Sequence, residues 1–174
     1  MGDAGAWARR GTAVNAVVQP ARWLHDLREA DLDAVLHIES AVYEFPWTRG
    51  NFLDSIRSGY VMQALSTHAQ GLTGYFVVLD GADELHLLNL SVALHAQGLG
   101  HARFMLDALR ALAGQRRSRQ MWLEVRASNQ RARSLYERNG FRTVGVRRDY
   151  YPAADSRRED AVVMSLSMVP HGHG

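Results

Sequence analysis

The stretch ELHLLNLSVALHAQGLGHARFML, residues 84–106, decides the fold because it joins a strand to a helix through a glycine turn. Residues 84–92 form a short apolar run that is typical of a strand. After the glycines, apolar residues recur at helical spacing, at positions 102, 105, 106, 109 and 112. This helix is predicted to end near Gly114, and a second apolar strand follows at 121–125. Strand, helix and strand in this order predict a right-handed parallel crossover.

The flanking segments predict antiparallel strands around this crossover. Alternating apolar runs and turn residues indicate strands at Trp23, 61–66, 73–80, 141–148 and 159–168. Helices are predicted over 29–42, after the FPWT turn, and over 129–139. We therefore predict a mixed α/β fold, with a mostly antiparallel sheet of about seven strands, helices on both faces and one parallel crossover. Residues 21–168 are predicted to form one domain, between a flexible arm (1–20) and a flexible tail (169–174).

The composition excludes several kinds of site. A chain of 174 residues buries about two thirds of the surface of its unfolded state, so a single core suffices. The sequence contains no cysteine, which excludes disulfides, thiolate metal sites and cysteine nucleophiles. The N-terminal segment lacks an apolar run of signal-peptide length, and no later run approaches a membrane span. We expect a soluble, cytoplasmic protein without a metal site.

The charges are distributed unevenly along the chain. Residues 1–102 contain 6 arginines and 11 acidic residues, whereas residues 103–174 contain 14 arginines and 7 acidic residues. The two parts therefore carry formal charges of −5 and +7, although the net charge is only +2. All the Lys/Arg cations are arginine, which is explained either by the coding preference of the genome or by phosphate binding.

Gly98 and Gly100 stand where the crossover helix must begin. Glycines at such a position let backbone N–H groups approach a ligand, and a helix N-terminus favours an anion such as a phosphate. An ordinary tight turn between strand and helix is the alternative explanation of the same glycines, and a lone GxG pattern favours it. A dinucleotide-binding motif needs a third glycine where Arg103 stands, and the GK[ST] ending of a P-loop is absent.

Three polar residues follow the strand 121–125 or lie within it. Glu124 is surrounded by apolar neighbours, so desolvation is expected to raise its pKa towards that of a general base. An ion pair with one of the arginines is the alternative. Asn129 is suited to capping the next helix, and Tyr136, two turns later, lies on the same face of that helix. Because the ends of parallel strands open on one side of a sheet, these residues and the glycine turn are expected to surround one crevice.

Six motifs resemble the GCN5-related N-acetyltransferase superfamily, and within it the bacterial ribosomal-protein alanine N-acetyltransferases. The resemblance covers residues 24–168. Its motifs are FPW (45–47), QGLG (97–100), WLEVRASN (122–129), LYERNGF (135–141), RRDYYP (147–152) and REDAVVM (158–164).

The resemblance implies transfer of an acetyl group from acetyl-CoA to the α-amino group of an N-terminal alanine. The acceptor would be the basic N-terminus of a protein, and the resemblance points to a small-subunit ribosomal protein. No membrane or nucleic-acid partner is expected. Glu124 would be the general base, Tyr136 would protonate the departing thiolate, and the Val92 N–H would stabilise the oxyanion. The implied coenzyme contacts are Leu90, Ser91, Val92, Gln97, Gly98, Leu99, Gly100, His101 and Asn129. The implied lining of the peptide entrance is Phe45, Pro46, Trp47, Tyr150 and Tyr151.

Charged residues are assigned further roles on this basis. Arg103, Arg126 and Arg131 are candidates for contacts with coenzyme phosphates. Acidic residues are expected to form a negative rim that speeds the capture of a basic peptide. These residues are Asp26, Glu29, Asp31, Asp33, Glu39, Glu44 and Asp54.

Two other functions remain open from the sequence. A transferase for a small amine would need a closed acceptor pocket, whereas the FPW and YYP motifs favour an open aromatic groove. A non-catalytic module that binds RNA through its arginines would lose affinity steeply with salt.

The segment between Val92 and Gly98 is about two residues shorter than is usual in the family, which predicts weaker coenzyme binding.

Overall fold

The computed structural model describes residues 21–168, and the predicted arm (1–20) and tail (169–174) lie outside this range. The strands are β1 (Arg22–Asp26), β2 (Val61–Thr67), β3 (Gly71–Asp80), β4 (Glu84–Val92), β5 (Gln120–Arg126), β6 (Arg142–Pro152) and β7 (Arg158–Ser167). The helices are α1 (Leu32–Val42), α2 (Arg49–Arg57), α3 (His101–Arg116) and α4 (Gln130–Arg138). Two short 3-10 turns lie at Glu29–Asp31 and Leu94–Ala96. Within residues 21–168, every helix is too short or too polar to cross a membrane.

The seven strands form one sheet in the order β1-β2-β3-β4-β5-β7-β6. Strands β4 and β5 pair in parallel, and the other neighbouring strands pair antiparallel. The helices cover opposite faces, as two adjacent residues of β3 show. Gly74 lies against Met105 of α3, whereas the hydroxyl of Tyr75 donates to Glu39 of α1, and successive strand residues face opposite sides of a sheet. The predicted mixed sheet with one parallel crossover is confirmed.

The two parallel strands pair only at their beginnings. Residues Glu84 to Leu87 of β4 are opposite Gln120 to Leu123 of β5, and no pairs follow in the rest of these strands. The register between β3 and β4 shifts at the same level, where Leu88 is an extra residue. Such a bulge bends the strand that carries it. The ends of β4 and β5 therefore diverge and leave a cleft in the sheet.

Both helical layers pack on the sheet through apolar stripes. Helix α1 buries Leu32, Val35 and Ile38, and α3 buries Met105, Leu106 and Leu109. Each fully buried side chain of this size contributes about 1.5–3 kcal/mol of transfer free energy.

Two helix boundaries differ from the prediction by two residues or more. The segment predicted as a helix from Glu29 starts with the 3-10 turn, in which the Asp31 carboxylate accepts a hydrogen bond from the Arg28 N–H at 2.8 Å. Helix α3 continues past Gly114, and Arg117 ends it with a φ of 57°. Glycine favours this left-handed conformation, but here it occurs at an arginine.

Candidate active site

Two adjoining cavities open where β4 and β5 diverge. The larger has a volume of about 640 Å³ and the smaller about 320 Å³, which is the range of small-molecule sites. The cavities adjoin, because six residues line both of them. The shared residues are Tyr43, Leu90, Arg126, Asn129, Ala132 and Tyr136.

The larger cavity contains most of the predicted coenzyme contacts. Leu99 is the exception, because its side chain is 53% exposed and its carbonyl accepts a hydrogen bond from Arg22 at 3.3 Å. The Ala93 N–H donates to Thr73 of β3, so strand alternation turns the Val92 N–H towards the cleft. The predicted contacts in the lining are Leu90, Ser91, Val92, Gln97, Gly98, Gly100, His101 and Asn129.

The turn before α3 needs glycine for conformational reasons. Gly98 and Gly100 have φ angles of 81° and 78°, which other residues rarely adopt. The side chain of Gln97 braces the turn, because its amide donates to the Val92 carbonyl at 3.1 Å. Its amide oxygen accepts from Arg131 at 2.6 Å. Arg131, a candidate phosphate contact, therefore already joins the turn to α4.

His101 is a buried polar side chain at the N-terminus of α3. It is 2% exposed, and neither ring nitrogen has a hydrogen-bond partner within residues 21–168. Burial, and then the charge of Arg22, lower its pKa, so the ring is held neutral. Both ring nitrogens are buried, so the groups available to a ligand here are the free backbone N–H groups of the helix N-terminus. These donors, with Arg103 in the same lining, fit the diphosphate of a coenzyme.

Asn129 and Tyr136 place α4 against the junction of the cavities. The Asn129 side chain accepts a hydrogen bond from the Ala132 N–H at 3.1 Å and so caps the helix. Tyr136 is 8% exposed and packs edge-to-face on Phe141, with ring centroids 5.6 Å apart. Burial raises the pKa of Tyr136 above its ordinary value, so the phenol remains protonated at neutral pH. A protonated phenol at this wall can act as an acid towards either cavity.

Glu124 lines the smaller cavity, and its environment differs from the prediction. Its Oε2 lies 2.6 Å from Nε2 of His86, and its Oε1 lies 3.2 Å from a guanidinium nitrogen of Arg147. Burial acts to raise the pKa of Glu124, but the hydrogen bond and charge of His86 and the charge of Arg147 outweigh it, so the pKa is lowered. The predicted upward shift is therefore wrong. The alternative, an ion pair with an arginine, is present.

His86 was not predicted as a site residue. Its ring stacks on Trp122 with a centroid distance of 3.8 Å and an interplanar angle of 12°. In the parallel register His86 is opposite Trp122, and Glu124 lies two residues further along β5. A titratable residue within an apolar strand could have indicated His86, as it did Glu124. The pairing of the two residues depends on the register, which the sequence does not contain.

Aromatic residues form the outer wall of the smaller cavity. Phe45, Trp47 and Tyr151 line it, whereas Pro46 and Tyr150 do not. Tyr150 packs on Tyr151 with centroids 5.0 Å apart and is 40% exposed.

Arg126 holds this wall together. Its guanidinium lies over the rings of Phe45 and Tyr151, at 5.4 and 4.6 Å from their centroids. It also donates to the Pro152 carbonyl at 2.9 Å and pairs with Glu159 at 3.2 Å. These contacts indicate that Arg126, considered from the sequence for coenzyme phosphates, joins the two sides of the aromatic wall.

Glu39 is not part of an acidic rim. The side chain is 1% exposed and accepts hydrogen bonds from the Trp47 N–H at 2.8 Å, from Asn89 at 3.2 Å and from the Tyr75 hydroxyl. A buried carboxylate is stable only when donors surround it in this way. Glu39 therefore anchors the loop that contains Trp47 to the floor of the cleft.

Comparisons with known proteins assign the chain to a family. The sequence profile of the Acetyltransferase (GNAT) family matches residues 24–141. The chain belongs to this family. It is 35% identical over 143 residues to the [ribosomal protein bS18]-alanine N-acetyltransferase of Escherichia coli K12, which covers 82% of this chain and 95% of that protein. The same enzyme of Haemophilus ducreyi is 34% identical over 138 residues, 79% of this chain and 94% of that protein.

Solved structures agree with the family assignment. The crystal structure of the ribosomal-protein-S18-alanine N-acetyltransferase from Escherichia coli superposes with a TM-score of 0.79 and 33% identity, over 88% of this chain and 98% of that chain. The protein is therefore an N-acetyltransferase of the GNAT family, and the cleft between β4 and β5 is the candidate active site of this acetyltransferase.

Proposed function

We propose that this acetyltransferase transfers the acetyl group of acetyl-CoA to the α-amino group of an N-terminal alanine on a ribosomal protein. The observation that carries the proposal is the meeting of two cavities at Tyr136, one with a phosphate-type turn and one with a carboxylate and an aromatic wall. The relatives that match most of the chain are named for acetylation of ribosomal protein bS18. A ribosomal-protein acceptor places the reaction in the cytoplasm.

The larger cavity is the proposed acetyl-CoA site. The turn at Gly98 and Gly100, the α3 N-terminus and His101 would hold the diphosphate, with Arg103 nearby. The free edge of β4 from Leu90 to Val92 would pair with the amide groups of the pantetheine arm. This arrangement delivers the thioester to the junction with the smaller cavity.

The smaller cavity is the proposed peptide site. Phe45, Trp47 and Tyr151 would pack against the first residues of the peptide, and Glu124 would meet the α-amino group. An α-amino group has a pKa of about 8, so roughly a tenth of it is already unprotonated at pH 7. This unprotonated fraction can attack the thioester, and the Glu124 carboxylate, directly or through a water molecule, accepts the proton that the nitrogen loses as the C–N bond forms.

The remaining steps follow from the positions of two groups. The nitrogen attacks the thioester carbonyl, a C–N bond forms, and the Val92 N–H stabilises the oxyanion. Collapse of the oxyanion breaks the C–S bond, and Tyr136 gives its proton to the departing thiolate. The burial that keeps the phenol protonated supports this role.

Two basic peptides that differ only in a free or a blocked N-terminal alanine test the proposal. The wild-type enzyme is expected to consume acetyl-CoA only with the free peptide. Glu124→Gln is expected to lower kcat by about 10²- to 10⁴-fold with little change in coenzyme affinity. His37→Gln, an exposed substitution on α1, is the matched control. Acetylation of a polyamine in preference to either peptide would replace the proposal with the small-amine alternative.

A further inference from the structure

Tyr43 lines both cavities, and none of the proposed catalytic steps uses it. The residue follows α1, and its backbone N–H donates to the Glu39 carbonyl at 3.0 Å, which ties it to the end of that helix. Burial raises the pKa of Tyr43 to about 12, so the phenol keeps its proton at neutral pH. Its hydroxyl is therefore a hydrogen-bond donor under all conditions in which the enzyme works.

The Tyr43 hydroxyl contacts the edge of β4 that faces the cleft. It donates to the Leu90 carbonyl at 3.2 Å. The Ala93 N–H donates to the Thr73 carbonyl of β3, so the backbone groups of Leu90, three residues earlier, point away from β3 by strand alternation. Strand β5 no longer pairs with β4 after Leu87. Tyr43 therefore holds the same edge that the pantetheine arm is proposed to pair with.

A buried hydrogen-bond network fixes the position of this hydroxyl. The Ser91 hydroxyl has one proton, which it can donate to the Tyr43 oxygen at 2.9 Å or to the Asn89 amide oxygen at 3.2 Å. The amide nitrogen of Asn89 donates to the Glu39 carboxylate at 3.2 Å. Ser91 and Asn89 are 3% and 8% exposed, so water is largely excluded from these bonds. The network joins residues 89–91 of β4 to the C-terminal end of α1.

The divergent half of β4 needs this support because β3 is its partner strand on one side only. A carbonyl oxygen has two lone pairs, so Leu90 can accept from Tyr43 and from an amide of the arm at the same time. A strand edge that is fixed before the coenzyme binds loses less conformational freedom when the arm pairs with it. The hydroxyl therefore assists the binding of the arm and does not compete with it.

We propose that Tyr43 is a positioning residue for acetyl-CoA, because its hydroxyl holds the Leu90 carbonyl in the direction from which the pantetheine arm approaches. The inference rests on the proposed coenzyme site in the larger cavity. It adds the end of α1 to a site otherwise built from β4, α3 and α4. The part of the coenzyme that depends on Tyr43 is the arm with its amide groups, and the nucleotide does not depend on it.

Calorimetric binding of two probes tests this dependence. The probes are acetyl-CoA and the 3′-phosphorylated ADP part of coenzyme A, which lacks the pantetheine arm. For Tyr43→Phe we expect the Kd of acetyl-CoA to rise about 3- to 10-fold, the value of one hydrogen bond, and the Kd of the nucleotide to stay within about twofold. Tyr60→Phe, at a residue outside both cavities, is the control and should bind both probes as wild type does.

The other outcomes of this experiment separate the inference from the proposed function. Equal weakening of both probes would indicate a general loss of structure and would overturn the role of Tyr43. Unchanged or tighter binding of acetyl-CoA by Tyr43→Phe would also overturn it, while the coenzyme site would stand. If wild type bound neither probe, the proposed coenzyme site itself would fail. The measurement needs no acceptor, so it does not depend on which amine is acetylated.

Ser91→Ala provides a second test of the same contact, including the case in which Tyr43→Phe does not fold. This variant removes the donor to Tyr43 but keeps the bond to Leu90, so the Kd of acetyl-CoA should rise by a smaller factor than in Tyr43→Phe. The double variant should match Tyr43→Phe within about twofold, because both changes act through one hydroxyl. Wild-type binding by Ser91→Ala, or additive effects in the double variant, would contradict the network.

Steady-state kinetics then distinguish positioning from chemistry. The loss in Tyr43→Phe should appear as a higher KM for acetyl-CoA, with kcat at saturating substrates within about threefold of wild type. A fall in kcat with an unchanged KM would show that the hydroxyl acts in the transition state, and would overturn the positioning role.

Discussion

Tyr136 is a buried tyrosine that lines both cavities. Tyr136→Phe removes the proton donor but keeps the ring that packs on Phe141. We expect kcat to fall by about 10²-fold or more, while the Kd for coenzyme changes little, because a phenol that protonates the leaving group acts only in the transition state. Steady-state kinetics and calorimetric binding measure the two quantities. The control is Tyr60→Phe, which lies outside both cavities, and equal kcat values for the two variants would contradict the role of Tyr136.

At the residue scale, the sequence predicts which side chains reach the cleft better than it predicts their chemistry. Glu124 and Asn129 follow from one strand and one helix start, which are local patterns. The lowered pKa of Glu124 depends on His86, which is 38 positions away in the sequence, and on Arg147 from a third strand. The burial of Glu39 likewise depends on donors from three separate segments. Composition and periodicity contain no information on these long-range contacts.

At the element scale, replacing a glycine in β3 and replacing one in α3 are expected to change the free energy of unfolding in opposite directions. A Cβ at Gly74 would lie 2.8 Å from the Ser91 carbonyl of β4, whereas a Cβ at Gly114 would meet nothing within 4 Å. Gly74→Ala is expected to destabilise the fold by about 1–3 kcal/mol, because backbone cannot move aside cheaply. Gly114→Ala is expected to stabilise it by about 0.4–1 kcal/mol, since alanine restricts the unfolded chain. Chemical denaturation measures both free energies of unfolding, and a stabilised Gly74→Ala variant would refute this packing.

The elements differ in how well the sequence specifies them. Strand β4 has the predicted bounds, 84–92, and the Asp80-Gly81 turn signal precedes its apolar run. Strand β6 was predicted to end at position 148 but extends to Pro152, through a register irregularity with Asp149 at a φ of 48°. The bulge at Leu88 was not predicted. A bulge residue keeps ordinary strand composition, so only the partner strands reveal it.

At the scale of the whole molecule, the charge asymmetry predicts how the acceptor is captured. The rim at the peptide entrance is less acidic than expected, since Glu39 is buried and Asp33 and Asp54 pair with arginines. Glu29 and Glu44 remain exposed, so the long-range attraction of a basic peptide persists.

Salt dependence measures this attraction. With a basic alanine peptide, kcat/KM is expected to fall several-fold between about 50 and 300 mM salt, because screening shortens the reach of surface charges to less than about 10 Å. An alanine peptide of the same length with an uncharged body is the control for salt effects on the coenzyme. Equal slopes for the two peptides would exclude electrostatic capture.

The shared wall between the cavities has a consequence for inhibition. A molecule with a coenzyme-like end and a peptide-like end, joined by a linker of the right length, would occupy both cavities at once. Once one end is bound, the other binds from a high effective concentration and no longer from dilute solution. Its affinity would exceed that of either half, and the gain would disappear if the linker could not span the contact at Tyr136 and Asn129.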